Sequence, residues 1–298
     1  MKILLWGGRS KARIIMEMIY ELYVDASIIG IFDKTLKELP FHSDVKLYSD
    51  KSCLDFLYQE ATHFVVCIGG EHGYARFMTS ERLKQKGLKP LDLVSKHGLL
   101  DKLDYCGEGI QVMPGAIAHK FTSIGKHCIL NTNSTVDHEC KLGDGVHVMG
   151  GASIAGRVQI GDYSTIGTNA TILPNIIIGK NVFIGAGTVV IKDVTDNSVV
   201  AGVPAKPIKK FSPSNDSSMF EYDGHRGWLN YFAVLANFQK RGFGKQLMTF
   251  GEMALIEKGC PKLNLQIRND NTKAINFYQK VGYKEDAAVS FGKRLIED

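Results

Sequence analysis

One histidine of this chain stands where it could move a proton. His138 is followed directly by Glu139, so an imidazole and a carboxylate are neighbours in the sequence. An imidazole has a reference pKa of about 6.5, which suits it to accept a proton from an attacking amine or hydroxyl at neutral pH. His138 lies two residues after Val136, a member of the apolar repeat described below. Its side chain therefore need not belong to the core.

A glycine-rich loop offers a second kind of chemistry. The segment from Gly7 to Lys11 follows an apolar strand and precedes a predicted helix. Backbone N–H groups at such a helix start can hold a phosphate, although the spacing is not Gly-x-Gly-x-x-Gly and a plain strand-to-helix turn would have the same residues. Asp33 comes 25 residues after Gly8, where an acid often meets a ribose hydroxyl.

The cysteines and other histidines indicate no metal centre. The six cysteines have no paired spacing and are expected to be reduced thiols. His127, Cys128, His138 and Cys140 could be considered as zinc ligands, but His-Cys followed by His-x-Cys is not a familiar ligand spacing. We therefore predict no bound metal.

Composition limits the classes of partner. The chain has 298 residues, a net charge of +5 and no basic run longer than a pair such as Lys209-Lys210, which argues against nucleic acid and favours a small anionic ligand. The N-terminal apolar run is too short for a signal peptide, and no stretch suits a membrane. A cytoplasmic enzyme is the expectation.

The elements that must position these residues follow a six-residue period. From Val112 to Val190 an aliphatic or small residue occupies every sixth position, and an aliphatic-Gly pair followed by Lys or Asp recurs every eighteen residues. Helices repeat near 3.6 residues, so this period predicts a β-solenoid with three short strands in each triangular coil. Fourteen positions predict between four and five coils. Glycines after the inward residues, such as Gly125 and Gly143, are expected to relieve the corners.

Two α/β segments flank the solenoid. The first has the order βαβαβα, and the second, after a polar linker at Ser212–Ser218, has the order βαβαβ. We predict an α/β plus β-solenoid chain with domains at 1–95, 96–210 and 220–298 and a linker at 211–219. The predicted elements are strands Lys2–Trp6, Ser27–Phe32, His63–Ile68, Gly227–Val234, Lys262–Arg268 and Ala287–Leu295, and helices Ala12–Leu22, Ser52–Gln59, Tyr74–Lys86, Lys245–Lys258 and Thr272–Val281.

The hexad array and its Ala201–Pro207 ending resemble the left-handed β-helix acyltransferases of the hexapeptide-repeat family, which use acetyl-coenzyme A. The left hand is implied by the resemblance alone, since it departs from the usual crossover rule. With a short Rossmann-like domain in front, the chain resembles the PglD/NeuD group of sugar-nucleotide N- and O-acetyltransferases. In the glycine-rich loop Gly7, Ala12 and Arg13 agree with the group's Gly-Ala-Gly-Gly-His-Ala-Arg pattern, whereas Gly8–Lys11 depart from it.

This resemblance implies roles for particular residues. Asn131–Cys140 resembles the group's catalytic segment, which implies His138 as general base, Glu139 as its carboxylate partner and a homotrimer with active sites between neighbouring solenoids. The implied coenzyme-binding residues are His147 near the thioester, Gly156 with its N–H toward the thioester oxygen, Thr168, Ala186 and Lys206. The implied substrate-binding residues are Gly7, Gly8, Lys11, Asp33, Lys34, Gly69 and Asn131, with Lys11 facing the diphosphate.

The C-terminal segment resembles a different family, the GNAT acetyltransferases. The loop Gln239–Gly244 resembles the GNAT pyrophosphate loop, and Asn271–Tyr278 followed by Val281–Tyr283 resembles a later signature. A candidate second coenzyme A site would consist of Gln239, Arg241, Gly242, Phe243, Gly244, Asn271 and Tyr278, with Tyr278 as the acid. The 79 residues from 220 to 298 are fewer than a GNAT domain uses. We therefore expect a remnant or an assembly module that supports further association, with a second active site as the alternative.

The leading hypothesis is acetyl transfer from acetyl-coenzyme A to the amino group of a nucleotide-linked amino sugar, a step in surface-glycan synthesis. One alternative is O-acetylation of a sugar hydroxyl. Another makes the GNAT segment the catalyst and the solenoid a trimeric scaffold. A third is a non-catalytic sugar-nucleotide-binding scaffold.

Overall fold

The computed structural model describes residues 1–211, 217–222, 226–233, 244–245, 248–249, 252, 255–256, 260–267 and 271–285. It divides into two units, Met1–Ser214 and Asn215–Asp298. The first unit contains a parallel α/β sheet and the solenoid, and the second contains a small α/β sheet. Within the part of the chain that the structure describes, no helix has the length and apolar character needed to cross a bilayer.

The N-terminal sheet is parallel and covered on both faces. Its strands are β1 (Lys2–Trp6), β2 (Ser27–Phe32), β3 (Leu47–Tyr48), β4 (His63–Val66) and β5 (Lys89–Pro90), and its helices are α1 (Ser10–Leu22), α2 (Leu54–Glu60) and α3 (Gly73–Gln85), with a 3-10 turn at Lys51–Cys53. The strand order is β3-β2-β1-β4-β5. Ile3 and Leu5 pack with α1, while the intervening Leu4 packs with Leu57 of α2 and Leu83 of α3. This alternation explains why the strands are apolar throughout.

The predicted N-terminal elements agree with the structure to within two residues at each end, apart from the short β3 and β5, which the sequence analysis missed. Each of those two strands has only two residues. A strand of two residues is too short to show the alternation of apolar and polar residues that identifies strands in a sequence. The sheet is therefore two strands wider than the sequence predicts.

The solenoid consists of seventeen two-residue strands at six-residue intervals. Each pairs in parallel with the strand eighteen residues away, as Ile129–Leu130 pairs with His147–Val148. The strands form three sheets. They are Leu93–Val94, Leu99–Leu100, Tyr105–Cys106, Gln111–Val112, Ile117–Ala118, Ser123–Ile124, Ile129–Leu130, Thr135–Val136, Lys141–Leu142, His147–Val148, Ser153–Ile154, Gln159–Ile160, Thr165–Ile166, Thr171–Ile172, Ile177–Ile178, Phe183–Ile184 and Val189–Val190.

The solenoid is a left-handed parallel β-helix, and it is longer than predicted. Seventeen strands at three per coil make nearly six coils, because three strands precede Val112. Cys106 in the third of these strands pairs with Ile124 and so takes a place that is aliphatic elsewhere in the array. Past Val190 the solenoid ends with Ser198–Ala201, which pairs in antiparallel fashion with Lys206–Lys210.

The glycines of the eighteen-residue repeat have a different function from the one predicted. A Cβ atom on Gly125 would lie 2.5 Å from the backbone of Gly143 in the next coil, and one on Gly161 would lie 2.6 Å from Gly179. Left-handed φ values occur instead at another position of each corner, for example 56° at Asn133 and 55° at Asn169. The repeat glycines are therefore required because neighbouring coils approach closely at these positions. The left-handed φ values occur mainly at asparagine residues and at other glycines.

In the second unit, a three-stranded sheet contains Ser217–Tyr222, Gly227–Ala233 and Leu263–Leu265, and helix α4 covers Thr272–Lys280. The strand Ser217–Tyr222 was not predicted, because the sequence there reads as a linker. Gly244, Lys245, Met248 and Leu255 lie in helical conformation within the predicted helix 245–258 or beside it. Leu229, Met248 and Tyr278 form the centre of this unit's core. The predicted strand Ala287–Leu295 falls outside the described residues.

Candidate active site

His138 and Glu139 form a hydrogen-bonded pair at one corner of the solenoid. They follow the strand Thr135–Val136, and Glu139 adopts a φ of 58°. This left-handed conformation is uncommon for residues other than glycine, asparagine and aspartate. Glu139 Oε2 lies 2.9 Å from His138 Nδ1. Because a carboxylate only accepts, Nδ1 donates in this contact and Nε2 keeps a free lone pair.

The imidazole of His138 lies over Gly156 in the next coil. A Cβ atom at Gly156 would stand 2.6 Å from His138 Nε2, so only glycine leaves room for the ring. The His138 side chain is 41% exposed, so a ligand can reach it. Among the described residues, the Gly156 N–H meets no hydrogen-bond acceptor. This corner therefore presents a proton acceptor and an unused amide donor next to each other.

His147 has a different environment from the one predicted by its position outside the inward series. It is 3% exposed, because its strand faces the N-terminal sheet. Its Nδ1 lies 2.9 Å from the carbonyl oxygen of Gly70, and its Nε2 lies 3.5 Å from Asn131 Nδ2. Burial, with the charges of Arg76 and Lys11, lowers the pKa of His147 to about 3. The ring is thus neutral, with Nδ1 as donor and Nε2 as acceptor.

The candidate residues fall into two groups on different corners of the coil. His138 and Gly156 share one corner, eighteen residues apart. Thr168 and Ala186, also eighteen residues apart, lie on another corner, where the Gly187 N–H donates to the carbonyl oxygen of Thr168. This is the corner beside Asn131. Nine residues, half a coil, separate His138 from His147. Side chains on different corners of one solenoid point away from each other, so one chain does not bring both histidines to one ligand.

The remaining coenzyme candidate, Lys206, lies beyond the last coil, where it pairs with Ala201. It opens the terminal strand Lys206–Lys210, and its side chain is exposed. Exposed cations of this kind suit a phosphate better than a reacting group. Lys206 stays a prediction for the phosphate end of the coenzyme.

The glycine-rich loop is braced by Asp33. The Gly8 N–H donates to Asp33 Oδ2 at 2.9 Å, and Thr35 donates to Oδ1 through both its N–H and its hydroxyl. Burial raises the pKa of Asp33, but these hydrogen bonds outweigh it and the pKa is lowered. Gly7 has a φ of 100°, which disfavours other residues there. Asp33 thus holds the loop through its own oxygens.

Beside this loop an open cavity of about 510 Å³ is rich in lysine. It is lined by Lys34, Thr35, Leu36, Lys37, Ser49, Asp50 and Lys51. It lies beyond the carboxyl ends of β2 and β3, the edge where parallel α/β sheets bind ligands. Of these residues, the sequence predicts only Lys34 as a ligand-binding residue. Lys37 and Lys51 lie far apart in the sequence, and only the fold brings them together.

Lys11 faces the turn after β4. Gly69 lies against it, since a Cβ atom there would stand 3.5 Å from Lys11 Cδ. Burial, together with the nearby charge of Arg76, lowers the pKa of Lys11 to about 7. No ion pair among the described residues includes Lys11. The Lys11 ammonium is therefore available to an anionic ligand, and its charge depends on pH near neutrality.

Arg76 is a residue that the sequence analysis missed. It is fully buried on α3 and bridges the N-terminal sheet to the solenoid. A signal was present, because Arg76, Ser80 and Leu83 have the helical spacing of one buried face. An arginine within such a buried face is unusual, which indicates that its side chain has specific hydrogen-bond partners.

The cysteine and histidine residues considered for zinc do not converge. Cys128 and Cys140 face the solenoid interior, where their thiols donate to the carbonyl oxygens of Gly143 and Ala155. In the described part of the chain one other group, Glu81, Glu108 and His127, brings three metal-type ligand atoms together. Lys84 donates to both carboxylates of that group, so an ammonium already neutralises part of their charge.

The GNAT-like segment is described only in part. Gln239, Arg241, Gly242 and Phe243 lie outside the described residues, and Gly244 is helical. Asn271 caps α4, because its Oδ1 accepts the N–H of Ala274 at 3.2 Å. Tyr278 is buried, and burial raises its pKa to about 12, so the phenol is protonated at neutral pH.

Two family models match the chain. The bacterial transferase hexapeptide model (six repeats) matches residues 139–174, and the acetyltransferase (GNAT) family model matches residues 178–283. The GNAT match therefore begins within the last coils of the solenoid. An acetyltransferase of Yersinia enterocolitica is 45% identical over 82 residues, which are 28% of this chain and 58% of the relative. The chain thus spans little more than half the length of such relatives.

Solved structures match the first unit. The acetyltransferase domain of PglB from Neisseria gonorrhoeae is 26% identical, with a TM-score of 0.63 over 70% of this chain and 99% of that domain. PerB from Caulobacter crescentus, solved in complex with CoA and GDP-perosamine, is 26% identical, with a TM-score of 0.61 over 70% of this chain and 98% of PerB. WeeI from Acinetobacter baumannii is 28% identical, with a TM-score of 0.62 over 70% of this chain and 100% of WeeI.

Proposed function

We propose, from the premise that this chain is an acyltransferase with a PglD/NeuD-like hexapeptide-repeat body and a GNAT-like segment, that it transfers acetyl from acetyl-coenzyme A to the amino group of a nucleotide-linked amino sugar. The observation that carries the proposal is the His138–Glu139 pair above the Gly156 amide. The likeness to PerB, whose structure contains CoA and GDP-perosamine, supports the substrate class. The reaction would be a step in surface-glycan synthesis.

His138 acts on the acceptor. Its Nε2 accepts the proton that the sugar amine loses as nitrogen attacks the carbonyl carbon, and Glu139 stabilises the imidazolium. The Gly156 N–H donates to the carbonyl oxygen as negative charge develops there. Acetyl-coenzyme A supplies the activated thioester. The imidazolium then returns its proton to the departing sulfur, which restores His138.

The N-terminal sheet would hold the nucleotide. Lys11 suits a diphosphate and the cavity lined by Lys34 suits the nucleoside, whereas the Gly7 and Gly8 amides already donate to Phe32 and Asp33. The positive side chains here agree with an anionic ligand.

We further propose that a homotrimer completes the site. His138 lies on one corner of the coil, and Asn131 and His147 lie toward another. A groove between neighbouring solenoids would bring the His138 corner of one subunit to the Asn131 corner of the next. Thr168 and Ala186, small residues of the second corner, would then leave room for the pantetheine arm, with Lys206 at the phosphates.

A thiol-release screen tests the function. UDP-, GDP- and dTDP-linked 3-amino and 4-amino sugars would be offered with acetyl-coenzyme A, and we expect turnover with at least one. His138→Ala should lower kcat by about 10²- to 10⁴-fold with the fold retained. His97→Ala, an exposed histidine of the first coils, is the matched control and should keep the wild-type rate. Full activity of the His138→Ala protein would refute the assignment.

O-acetylation uses the same base and differs only in the acceptor atom. The product of the active reaction would be treated with mild base, which cleaves esters and spares amides. A base-stable acetyl group supports the amine as acceptor, and a labile one identifies a hydroxyl. Absence of thiol release with every aminosugar nucleotide would favour a non-catalytic scaffold.

The GNAT-like segment offers a second candidate function, supported by the family match at residues 178–283 and by protonated Tyr278. Removing residues 215–298 separates the two candidates, since residues 1–214 form a compact unit of their own. If the solenoid is the catalyst, the truncated protein keeps the aminosugar activity within about twofold. Loss of activity in the truncated trimer would identify the C-terminal segment as the catalyst.

A further inference from the structure

Arg76 makes three hydrogen bonds from a fully buried position. Its Nε donates to the carbonyl oxygen of His127 at 2.9 Å, its Nη1 to that of Ile68 at 3.1 Å and its Nη2 to that of Gly145 at 2.6 Å. None of the ion pairs among the described residues includes Arg76, so these neutral carbonyl oxygens are its partners. A buried charge without a carboxylate is a costly way to join two elements, and an apolar side chain would serve packing better.

Two nitrogens of this guanidinium bind the two chain segments that one hydrogen bond of the candidate site joins. Ile68 lies two residues before Gly70, whose carbonyl oxygen accepts from His147 Nδ1 at 2.9 Å. Gly145 lies two residues before His147 itself. One planar group therefore fixes the segment that carries the acceptor and the segment that carries the donor. A planar fork can hold two carbonyl oxygens at a set separation, whereas a lysine ammonium cannot.

We propose that Arg76 is a positioning residue: by holding Ile68 and Gly145 it maintains the hydrogen bond from His147 to Gly70, and so keeps His147 Nε2 as the acceptor that faces Asn131, a candidate ligand-binding residue. Only the role of His147 toward a ligand rests on the proposed function, and the positioning of its ring does not. The charged groups that face His147 are Arg76 from α3 and Lys11 from α1, and both oppose its protonation. Arg76 thus acts on His147 through geometry and through charge.

The test compares Arg76→Met with Arg82→Met, an exposed arginine on the same helix. Nitrogen chemical shifts of the His147 ring, measured by NMR on histidine-labelled full-length protein at pH 7, report the tautomer without any need for activity. In Arg76→Met we expect loss of the pure Nδ1–H form, with a fall in kcat/KM of about 10- to 100-fold. Arg82→Met should match the wild type in both measurements.

Arg76→Lys keeps the experiment decisive if Arg76→Met does not fold, since it keeps the charge and removes the fork. A folded Arg76→Lys protein should still lose the pure tautomer, although less completely. An unchanged His147 tautomer in either folded variant would overturn the proposal. A changed tautomer together with no transfer activity in the wild type would instead refute the proposed function and leave the positioning role of Arg76 intact.

Discussion

At the scale of single residues, the chemistry depends on a glycine as much as on a histidine. His138 has its Nδ1 paired with Glu139, and Nε2 is left for a substrate proton. Gly156 provides both the space for the ring and an amide with no other acceptor in the described residues. The predicted base and the predicted amide donor therefore lie next to each other, in adjacent coils.

Gly156→Ala tests this arrangement. The new methyl group would stand 2.6 Å from His138 Nε2, so the imidazole must rotate away. Gly156 has no left-handed φ, so the backbone tolerates alanine. We expect kcat to fall by about 10- to 100-fold, with thermal unfolding close to the wild type, because general-base catalysis depends on hydrogen-bond distance. Steady-state kinetics with calorimetry measure both, and an unaffected kcat would show that His138 is not the base.

Lys11 should make substrate binding depend on pH. Its pKa of about 7 is lowered chiefly by burial, so the ammonium is lost as pH rises through 7, and attraction for a diphosphate is lost with it. We expect the Kd of the nucleotide sugar to rise between about pH 6 and pH 8. Lys11→Met should weaken binding at pH 6 and remove this dependence. Lys11→Arg, which stays charged, should bind without the pH effect, and an equal slope in all three proteins would exclude Lys11.

At the scale of elements, the solenoid is stabilised by one apolar column, and adjacent residues in one strand differ sharply. Ile178 is 1% exposed and belongs to the column, whereas Ile177 is 49% exposed. The hexad register alone predicts this difference, because successive residues of a strand face opposite sides. His138 lies in the turn after the strand Thr135–Val136, so it is exposed to a ligand while Val136 of the same coil remains buried.

Ile178→Ala and Ile177→Ala form a matched pair in that strand. Ile178→Ala leaves a cavity in the column and should lower the free energy of unfolding by about 2–5 kcal/mol. Ile177→Ala removes the same atoms from an exposed position and should change it by less than about 1 kcal/mol. Denaturant unfolding of both variants measures the difference. Equal effects would show that Ile177 is covered in solution, as by another subunit.

At the scale of the whole molecule, the two halves of the proposed site do not meet within one chain. Half a coil separates His138 from His147, and the N-terminal sheet covers the strand of His147. The first unit resembles PerB and WeeI over 98% and 100% of those chains. A site shared between subunits therefore follows from the geometry and from the proposed symmetry together.

Mixed trimers test the shared site. His138→Ala and His147→Ala chains, each inactive alone, would be co-expressed with different tags and purified as hybrids. If each site takes His138 from one subunit and His147 from its neighbour, one of the three sites in every mixed trimer is intact, so the purified hybrids should recover about one third of the wild-type activity. If both histidines belong to one chain's site, no activity returns. The tags confirm that hybrids formed, which makes either outcome decisive.

The sequence by itself determined the repeating part of this protein. The hexad register gave the coils from Val112 to Val190, their inward residues and the corner of His138, because each coil pairs with the next, eighteen residues away. Only the tertiary structure decided the burial of His147, the bracing role of Asp33 and the existence of the Arg76 bridge. These depend on contacts across long stretches of chain, such as the 77 residues between Gly70 and His147. Local patterns record neighbours at fixed spacing, and they contain no record of which distant surface folds against them.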